Sequence, residues 1–169
     1  MNFDSIGWAF DNTYSKLSNT FKEEVKPTPV HNPELVVLND RLAKNLNLDF
    51  SKIEKKDLSQ LFSGNSLPEG SSTLAQAYAG HQFGHFTMLG DGRAILLGEH
   101  LVNKTNRYDI QFKGSGRTSF SRSGDGRAVL GPMLREYIIS EAIHALNIPT
   151  TRSLAVVKTG EKVVRENLL

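Results

Sequence analysis

The stretch DIQFKGSGRT, residues 109–118, changes at Lys113 from alternating polar and apolar residues to a loop rich in glycine and arginine. Alternation is typical of a β-strand, in which successive side chains point to opposite faces. Ile110 and Phe112 therefore share one face, and Lys113 projects from the other, polar face. The stretch predicts a strand that ends in a lysine at the start of a flexible basic loop.

A long helix is predicted after this loop. Pro132 suits its first turn, where a missing N–H costs nothing, and Pro149 follows its end near Leu146. Four-residue steps place Glu136 on the polar face of the helix. The apolar stripe is predicted to comprise Leu134, Tyr137, Ile138, Ala142 and Leu146.

Glu136 is a candidate partner for Lys113. Protein kinases use a strand lysine paired with a glutamate of the next helix to position ATP phosphates. Either charge alone is costly to remove from water, and a close partner offsets that cost. We therefore expect a desolvated Lys113–Glu136 ion pair beside a polyphosphate pocket, although the spacing alone also allows both side chains to be solvated.

The pentapeptide GDGRA occurs twice, at residues 90–94 and 124–128. Glycine lets backbone N–H groups come close to a phosphate, and arginine neutralises the phosphate charge. The two segments are therefore predicted to be turns that each direct an arginine toward the pocket. The alternative is a pair of ordinary glycine turns.

Shorter patterns predict the other elements. Helices are expected from Asn39 or Asp40 to Leu46, over residues 57–62 with an end at Gly64, and over residues 73–78. Strands are expected over residues 34–38, 94–102, 108–113 and 153–157, the last in a hairpin with residues 162–165. Because this hairpin would close a sheet and lead nowhere, we expect the chain to be a fragment or the first lobe of a larger protein.

Composition excludes several classes of protein. The chain has 169 residues, enough for one hydrophobic core, and its 20 Lys plus Arg against 18 Asp plus Glu are too balanced for general nucleic-acid binding. The absence of cysteine excludes disulfides, thiolate zinc sites and a cysteine nucleophile. The sequence has neither an apolar run of membrane-spanning length nor a signal-peptide pattern. We expect a cytoplasmic protein that binds neither membranes nor nucleic acid.

Two further clusters are candidate binding sites. A patch for phosphate or RNA could be formed by Lys113, Arg117, Arg122, Arg127, Phe120 and Tyr137, but acidic residues lie among them. His81 and His85 have the spacing that places two imidazoles on one helix face, yet Gln82 stands where a zinc hydrolase needs glutamate. A packed or hydrogen-bonded histidine pair is the expectation.

Longer motifs resemble the selenoprotein O family. They are AQAYAGHQFG at residues 75–84, LGDGRA at 89–94, KGSGRT at 113–118, the stretch 124–141 and IPTTRSL at 148–154. The resemblance implies an α+β fold that is the N-terminal lobe of a protein-kinase-like fold, with an antiparallel sheet, a packed long helix and an N-terminal extension. We expect the extension to span residues 1–72 and the lobe to span residues 73–169.

The same resemblance implies a protein adenylyltransferase that transfers AMP from ATP to Ser, Thr or Tyr hydroxyls of proteins and uses Mg²⁺ or Mn²⁺. The nucleotide contacts would be Gly90, Gly92, Arg93, Lys113, Asp125 and Gly126, with Glu136 as the partner of Lys113. The family's catalytic aspartate and metal ligands would lie after Leu169, so we expect this chain alone to be inactive. The alternatives are a truncated module for nucleotide binding or protein interaction, and an RNA binder.

Overall fold

The computed structural model describes residues 3–82 and 84–165 of the chain. The strands in these ranges are β1 Lys22–Glu24, β2 Glu34–Leu38, β3 Leu74–Gln82, β4 His85–Gly90, β5 Ala94–Leu101, β6 Arg107–Lys113 and β7 Ala155–Lys158. The α-helices there are α1 Asp40–Asn45, α2 Lys55–Ser63 and α3 Leu130–Ala145. All named strand pairs are antiparallel, so the predicted α+β class with an antiparallel sheet is confirmed.

The larger sheet has the order β1-β3-β5-β6, and β4 also pairs with β3. The first residues of β3 lie between β1 and β5, whereas its later residues form a hairpin with β4. Strands β5 and β6 pair along their length, and Ala94 lies opposite Lys113. This register brings the turn between β4 and β5 beside the end of β6.

The predicted helix over residues 73–78 is wrong, because Leu74 begins β3. Alanines at 75, 77 and 79 favour a helix in isolation. Leu74 and Ala75 are fully buried in the sheet, and hydrogen-bonded neighbours on both edges of β3 override this local propensity.

A smaller sheet consists of β2 and β7. The predicted hairpin between residues 153–157 and 162–165 is wrong, because residues 162–165 form no strand and β7 pairs with β2, about 120 residues earlier in the chain. This pairing buries Val156 and Leu35, whereas an isolated hairpin is marginally stable in water. The predicted strand over residues 34–38 is confirmed.

The hydrophobic core lies around α1, α2 and the start of the chain. The core cluster comprises Phe3, Ile6, Leu35, Leu42, Ala43, Leu46, Leu48, Phe50, Leu58 and Leu61. The predicted cap of α1 is confirmed, since the Asn39 side chain accepts a hydrogen bond from the Leu42 N–H at 3.0 Å. The predicted end of α2 at Gly64 is also confirmed, and this glycine has a positive φ of 81°.

The first part of the chain is joined to the larger sheet through β1 and through His100 of β5. His100 is fully buried, and its Nδ1 accepts a hydrogen bond from the Ala9 N–H at 3.2 Å. Its Nε2 lies 2.8 Å from the Leu46 carbonyl oxygen. The boundary between residues 1–72 and 73–169 stays a prediction.

Helix α3 is long and exposed. It begins two residues before Pro132, so the predicted helix is confirmed, but only Leu134 and Tyr137 of the predicted apolar stripe are even partly buried. No residue of α3 is buried, and Ile138 keeps 62% of its surface exposed. Within the described ranges, no helix has the length and apolar character needed to cross a bilayer.

Candidate functional site

Lys113 and Glu136 form an ion pair between the end of β6 and helix α3. The Lys113 Nζ lies 2.6 Å from the Glu136 Oε1. The two side chains keep 40% and 49% of their surface exposed, so the expected desolvation of the pair is wrong. The distance makes this a charge-assisted hydrogen bond, and the exposure leaves the ammonium open to a ligand.

The first GDGR turn, residues 90–93, lies beside this ion pair and is hydrogen-bonded to the loop that follows β6. The Thr118 hydroxyl donates to the Asp91 carbonyl at 2.7 Å, and the Ser121 hydroxyl donates to the Gly92 carbonyl at 2.5 Å. The Gly114 N–H donates to the Arg93 carbonyl at 2.6 Å. Three consecutive carbonyls of the turn are thus satisfied from residues 114–121, which fixes the turn against β6.

Close packing explains both glycines of the first turn. A Cβ on Gly90 would overlap the Phe120 ring, and one on Gly92 would lie 2.8 Å from the Phe120 carbonyl oxygen. Neither glycine has a positive φ. Their absent side chains are therefore needed for the approach of residues 119–121, whatever else their N–H groups bind.

The second GDGR turn, residues 124–127, is joined to residues 161–165 by two ion pairs, each of which contains one arginine. The Arg165 guanidinium binds the Asp125 carboxylate at 2.8 and 3.2 Å. In the other pair the arginine belongs to the turn: the Arg127 guanidinium donates to the Glu161 carboxylate at 3.1 Å. Gly126 has a positive φ of 69°, and a Cβ there would overlap the Gly116 carbonyl. The turn is thus fixed by its backbone and by residues 161–165.

The two aspartates of the turns have pKa shifts of opposite sign. The hydrogen bond from Arg165 holds the pKa of Asp125 below its usual value. Burial raises the pKa of Asp91, and the hydrogen bonds from the Gln76 N–H and the Gln111 amide oppose that rise. Asp125 therefore carries its negative charge beside a compensating guanidinium.

The two turns and Lys113 line one pocket of about 690 Å³. It brings together Gly92, Arg93, Lys113, Asp125 and Gly126 of the candidate nucleotide contacts. Gly90 lies just before the first turn but does not line this pocket. Glu136 lines an adjoining groove of about 1320 Å³ that shares Lys113 with the pocket.

Several pocket residues were missed by sequence reasoning. Gln111 lines the pocket because it shares the polar face of β6 with Lys113, so the alternation of the strand was a sufficient signal. Tyr78 also lines the pocket, but it was not predicted because residues 73–78 were expected to form a helix instead of strand β3. No local pattern indicates Arg165, which reaches Asp125 across 40 residues of sequence.

The structure also places the histidines and the loop arginines. His81 and His85 lie on the two strands of the β3–β4 hairpin, so the single helix face is wrong, and the His81 ring meets Phe86 edge to face at 6.2 Å. Arg117 donates to the Arg122 carbonyl at 3.2 Å. Across the residues that the structure describes, His, Asp and Glu side chains nowhere gather in a group of three able to hold a metal ion.

Comparison with known proteins gives a family match over nearly the whole chain. The sequence model described as "Protein adenylyltransferase SelO" matches residues 5–168. The chain is 72% identical over 164 residues to the "Protein nucleotidyltransferase YdiU" of Pelagibacter ubique, an alignment that covers 97% of this chain and 34% of that relative. The YdiU protein of Nitrosococcus oceani is 63% identical over 169 residues, which covers 100% of this chain and 34% of that relative.

A third relative, the YdiU protein of Anoxybacillus flavithermus, is 64% identical over 165 residues, 98% of this chain and 34% of that protein. The chain therefore spans about a third of the length of the curated relatives it matches.

Proposed function

The chain belongs to the SelO family, and from this premise we propose that it forms the nucleotide-binding lobe of a protein adenylyltransferase with a kinase-like fold. The proposed reaction of the longer protein transfers AMP from ATP to Ser, Thr or Tyr hydroxyls of other proteins. The family match and the names of the relatives support nucleotidyl transfer. The observation that carries the ATP site is the Lys113–Glu136 ion pair next to a pocket formed by two glycine and arginine turns.

The pocket fits a polyphosphate in charge and size. Its 690 Å³ falls within the roughly 300–1,000 Å³ of small-molecule sites. Arg93 is exposed and, among the described residues, has no side-chain hydrogen bond or ion pair, so its guanidinium is available. The charge of Asp125 is offset by Arg165, which reduces repulsion of an anionic ligand.

Each candidate residue receives a proposed role on these grounds. Lys113 binds phosphate oxygens while Glu136 orients it, because an ammonium has three donors and the Glu136 carboxylate takes one. Arg93 adds a forked donor to the same phosphates. We propose that the remaining contacts come from Gly90, Gly92, Asp125 and Gly126.

The metal and the transfer step belong to the longer proteins in this proposal. The resemblance assigns the catalytic aspartate and the ligands of Mg²⁺ or Mn²⁺ to positions after Leu169. Such a metal neutralises charge that develops on phosphate oxygens during transfer. For this chain alone, we therefore propose ATP binding without AMP transfer.

The test is calorimetric titration of the 169-residue chain with ATP. We expect Lys113→Ala to weaken ATP binding by roughly 10- to 100-fold, because a charged hydrogen bond contributes about 1.5–3 kcal/mol. Lys104→Ala is the matched control, since Lys104 lies in the exposed turn between β5 and β6. Its ATP affinity should equal that of the wild type.

The same titration separates the alternatives. Undetectable ATP binding with tight, steeply salt-dependent binding of single-stranded RNA would favour the arginine-loop alternative. Binding of neither ligand would favour an interaction module. Equal ATP affinities of the wild type and Lys113→Ala would contradict the proposed site.

A further inference from the structure

Helix α3 carries Glu136 and is held only weakly by apolar burial. Leu134 and Tyr137 are partly buried, but no residue of α3 is fully buried, and Ile138 and Leu146 are mostly exposed. A helix with so little apolar burial depends on polar contacts to fix its rotation and position. The Lys113–Glu136 pair is one such contact, but half-exposed ion pairs are weak.

A second ion pair holds the same helix. The Arg152 Nε and Nη2 bind the two carboxylate oxygens of Glu141, each at 2.5 Å. The side chains keep only 13% and 25% of their surface exposed, much less than Lys113 and Glu136. Because the Arg152 guanidinium makes two parallel hydrogen bonds, the ion pair fixes the orientation of the two side chains as well as their distance.

Arg152 sits on a segment anchored to the core. The Asn39 side-chain amide donates to the Ser153 carbonyl at 3.2 Å, and the Asn39 N–H donates to the Leu154 carbonyl at 2.8 Å. Asn39 is also the buried cap of α1. The Glu141–Arg152 pair therefore connects α3 to the core cluster through three consecutive residues.

The two ion pairs contact α3 on different faces of the helix. Glu136 and Glu141 are five residues apart, which separates them by about 140° around the helix axis and about 7.5 Å along it. One tether alone allows rotation about its own contact. A second tether on another face removes that freedom and sets where Glu136 meets Lys113.

We propose that the Glu141–Arg152 ion pair is a second tether of α3, and that Arg152 is a positioning residue for the Lys113–Glu136 pair. The effect on ATP rests on the proposed function, whereas the effect on α3 does not. Loss of the tether lets α3 rotate, so Glu136 no longer holds the ammonium of Lys113 in one place.

Spin-label distances test the tether without any ligand. The chain has no cysteine, so Thr105→Cys and Ala142→Cys, both at exposed positions, take labels selectively. We expect Arg152→Met to broaden the distance distribution between them. Glu34→Gln is the matched control, because it breaks the Lys158–Glu34 ion pair between β2 and β7 without touching α3. An unchanged distribution in Arg152→Met would overturn the proposal.

Calorimetry with ATP on the full chain then tests positioning. We expect Arg152→Met to weaken binding by roughly three- to tenfold, and to have less than about a twofold effect in a Glu136→Ala background, because coupled residues are not additive. Equal effects in both backgrounds would overturn the positioning role. If Arg152→Met does not fold, Glu141→Gln replaces it in both measurements.

The outcomes distinguish the two proposals. If the wild type fails to bind ATP, the proposed function fails, and the label distances still decide whether the tether exists. If the wild type binds ATP and Lys113→Ala weakens it while Arg152→Met does not, the site stands and the positioning role of Arg152 is wrong.

Discussion

The core cluster and helix α3 are held in place by different forces. Around α1 and α2, Ile6 and Leu61 each keep only 1% of their surface exposed and pack among other apolar side chains. Helix α3 has only partly buried residues, such as Leu134 and Tyr137, and two ion pairs attach it through Glu136 and Glu141. Burial of apolar surface is the larger stabilising term, so we expect α3, which carries Glu136 of the candidate site, to open locally more easily than the core helices.

This difference teaches where a ligand would have its effect. A ligand that binds only the folded form adds stability in proportion to its affinity and concentration. Local opening requires less free energy where few apolar contacts are lost. We therefore expect a nucleotide bound at Lys113 to protect the amides of α3 from hydrogen exchange more than those of the core helices.

The largest test of the comparison removes apolar contacts from each part. Leu61→Ala in α2 should lower the free energy of unfolding by about 2–5 kcal/mol, because it leaves a cavity in the core cluster. Ile138→Ala in α3 should change it by no more than about 0.5 kcal/mol, since this side chain is mostly exposed. Urea unfolding followed by circular dichroism measures both. Similar losses in the two variants would show that α3 packs as firmly as the core.

The next test asks whether a glycine of the site is there for packing. Gly90→Ala should destabilise the chain by about 1–3 kcal/mol, because the new methyl group overlaps Phe120. Gly131→Ala is the control on α3, where no atom lies within 4 Å of the new methyl group and alanine favours the helix by up to about 1 kcal/mol.

A double variant sharpens that result. In a Phe120→Ala background the ring is gone, so Gly90→Ala should cost less than about 0.5 kcal/mol, since only directly contacting residues couple. An undiminished cost in that background would mean that Gly90 is needed for another reason than the approach of Phe120.

Sequence reasoning succeeded where local chemistry decides structure. Alternation around Ile110 defined β6, Asn39 and Gly64 marked helix ends, and four-residue spacing put Glu136 on a face that reaches Lys113. In each case the deciding interactions are made by residues close in sequence or by the period of the element.

Sequence reasoning failed where the structure depends on residues that are distant in the chain. The alanines of β3 resemble a helix until β1 and β5 flank the strand, and β7 pairs with β2 instead of its neighbour. The ion pairs of Arg152 and Arg165 also depend on how separate segments meet. Apolar periodicity in α3 correctly predicted a helix but not whether another element covers it.

The smallest test uses pH to compare a carboxylate of α3 with one in the turn between β4 and β5. Hydrogen bonding to Arg152 lowers the pKa of Glu141, whereas burial raises the pKa of Asp91. A lowered pKa contributes stability above the unfolded value, near 4.3 for glutamate, and that stability is lost as the pH falls through the folded pKa. A raised pKa has the opposite effect on the free energy of unfolding. As the pH rises above the unfolded pKa, near 3.9 for aspartate, the folded state is destabilised because its carboxyl group is harder to ionise.

Glu141→Gln should therefore lose stability relative to the wild type as the pH rises from 3 to 7, by no more than about 1 kcal/mol for a partly exposed pair. Asp91→Asn should gain relative stability over the same interval, because the wild type alone acquires a partly buried charge. Urea midpoints at half-unit pH steps measure both slopes. A flat or rising slope for Glu141→Gln would mean that Glu141 is not stabilised by Arg152, and the polar attachment of α3 to the core would lose its main support.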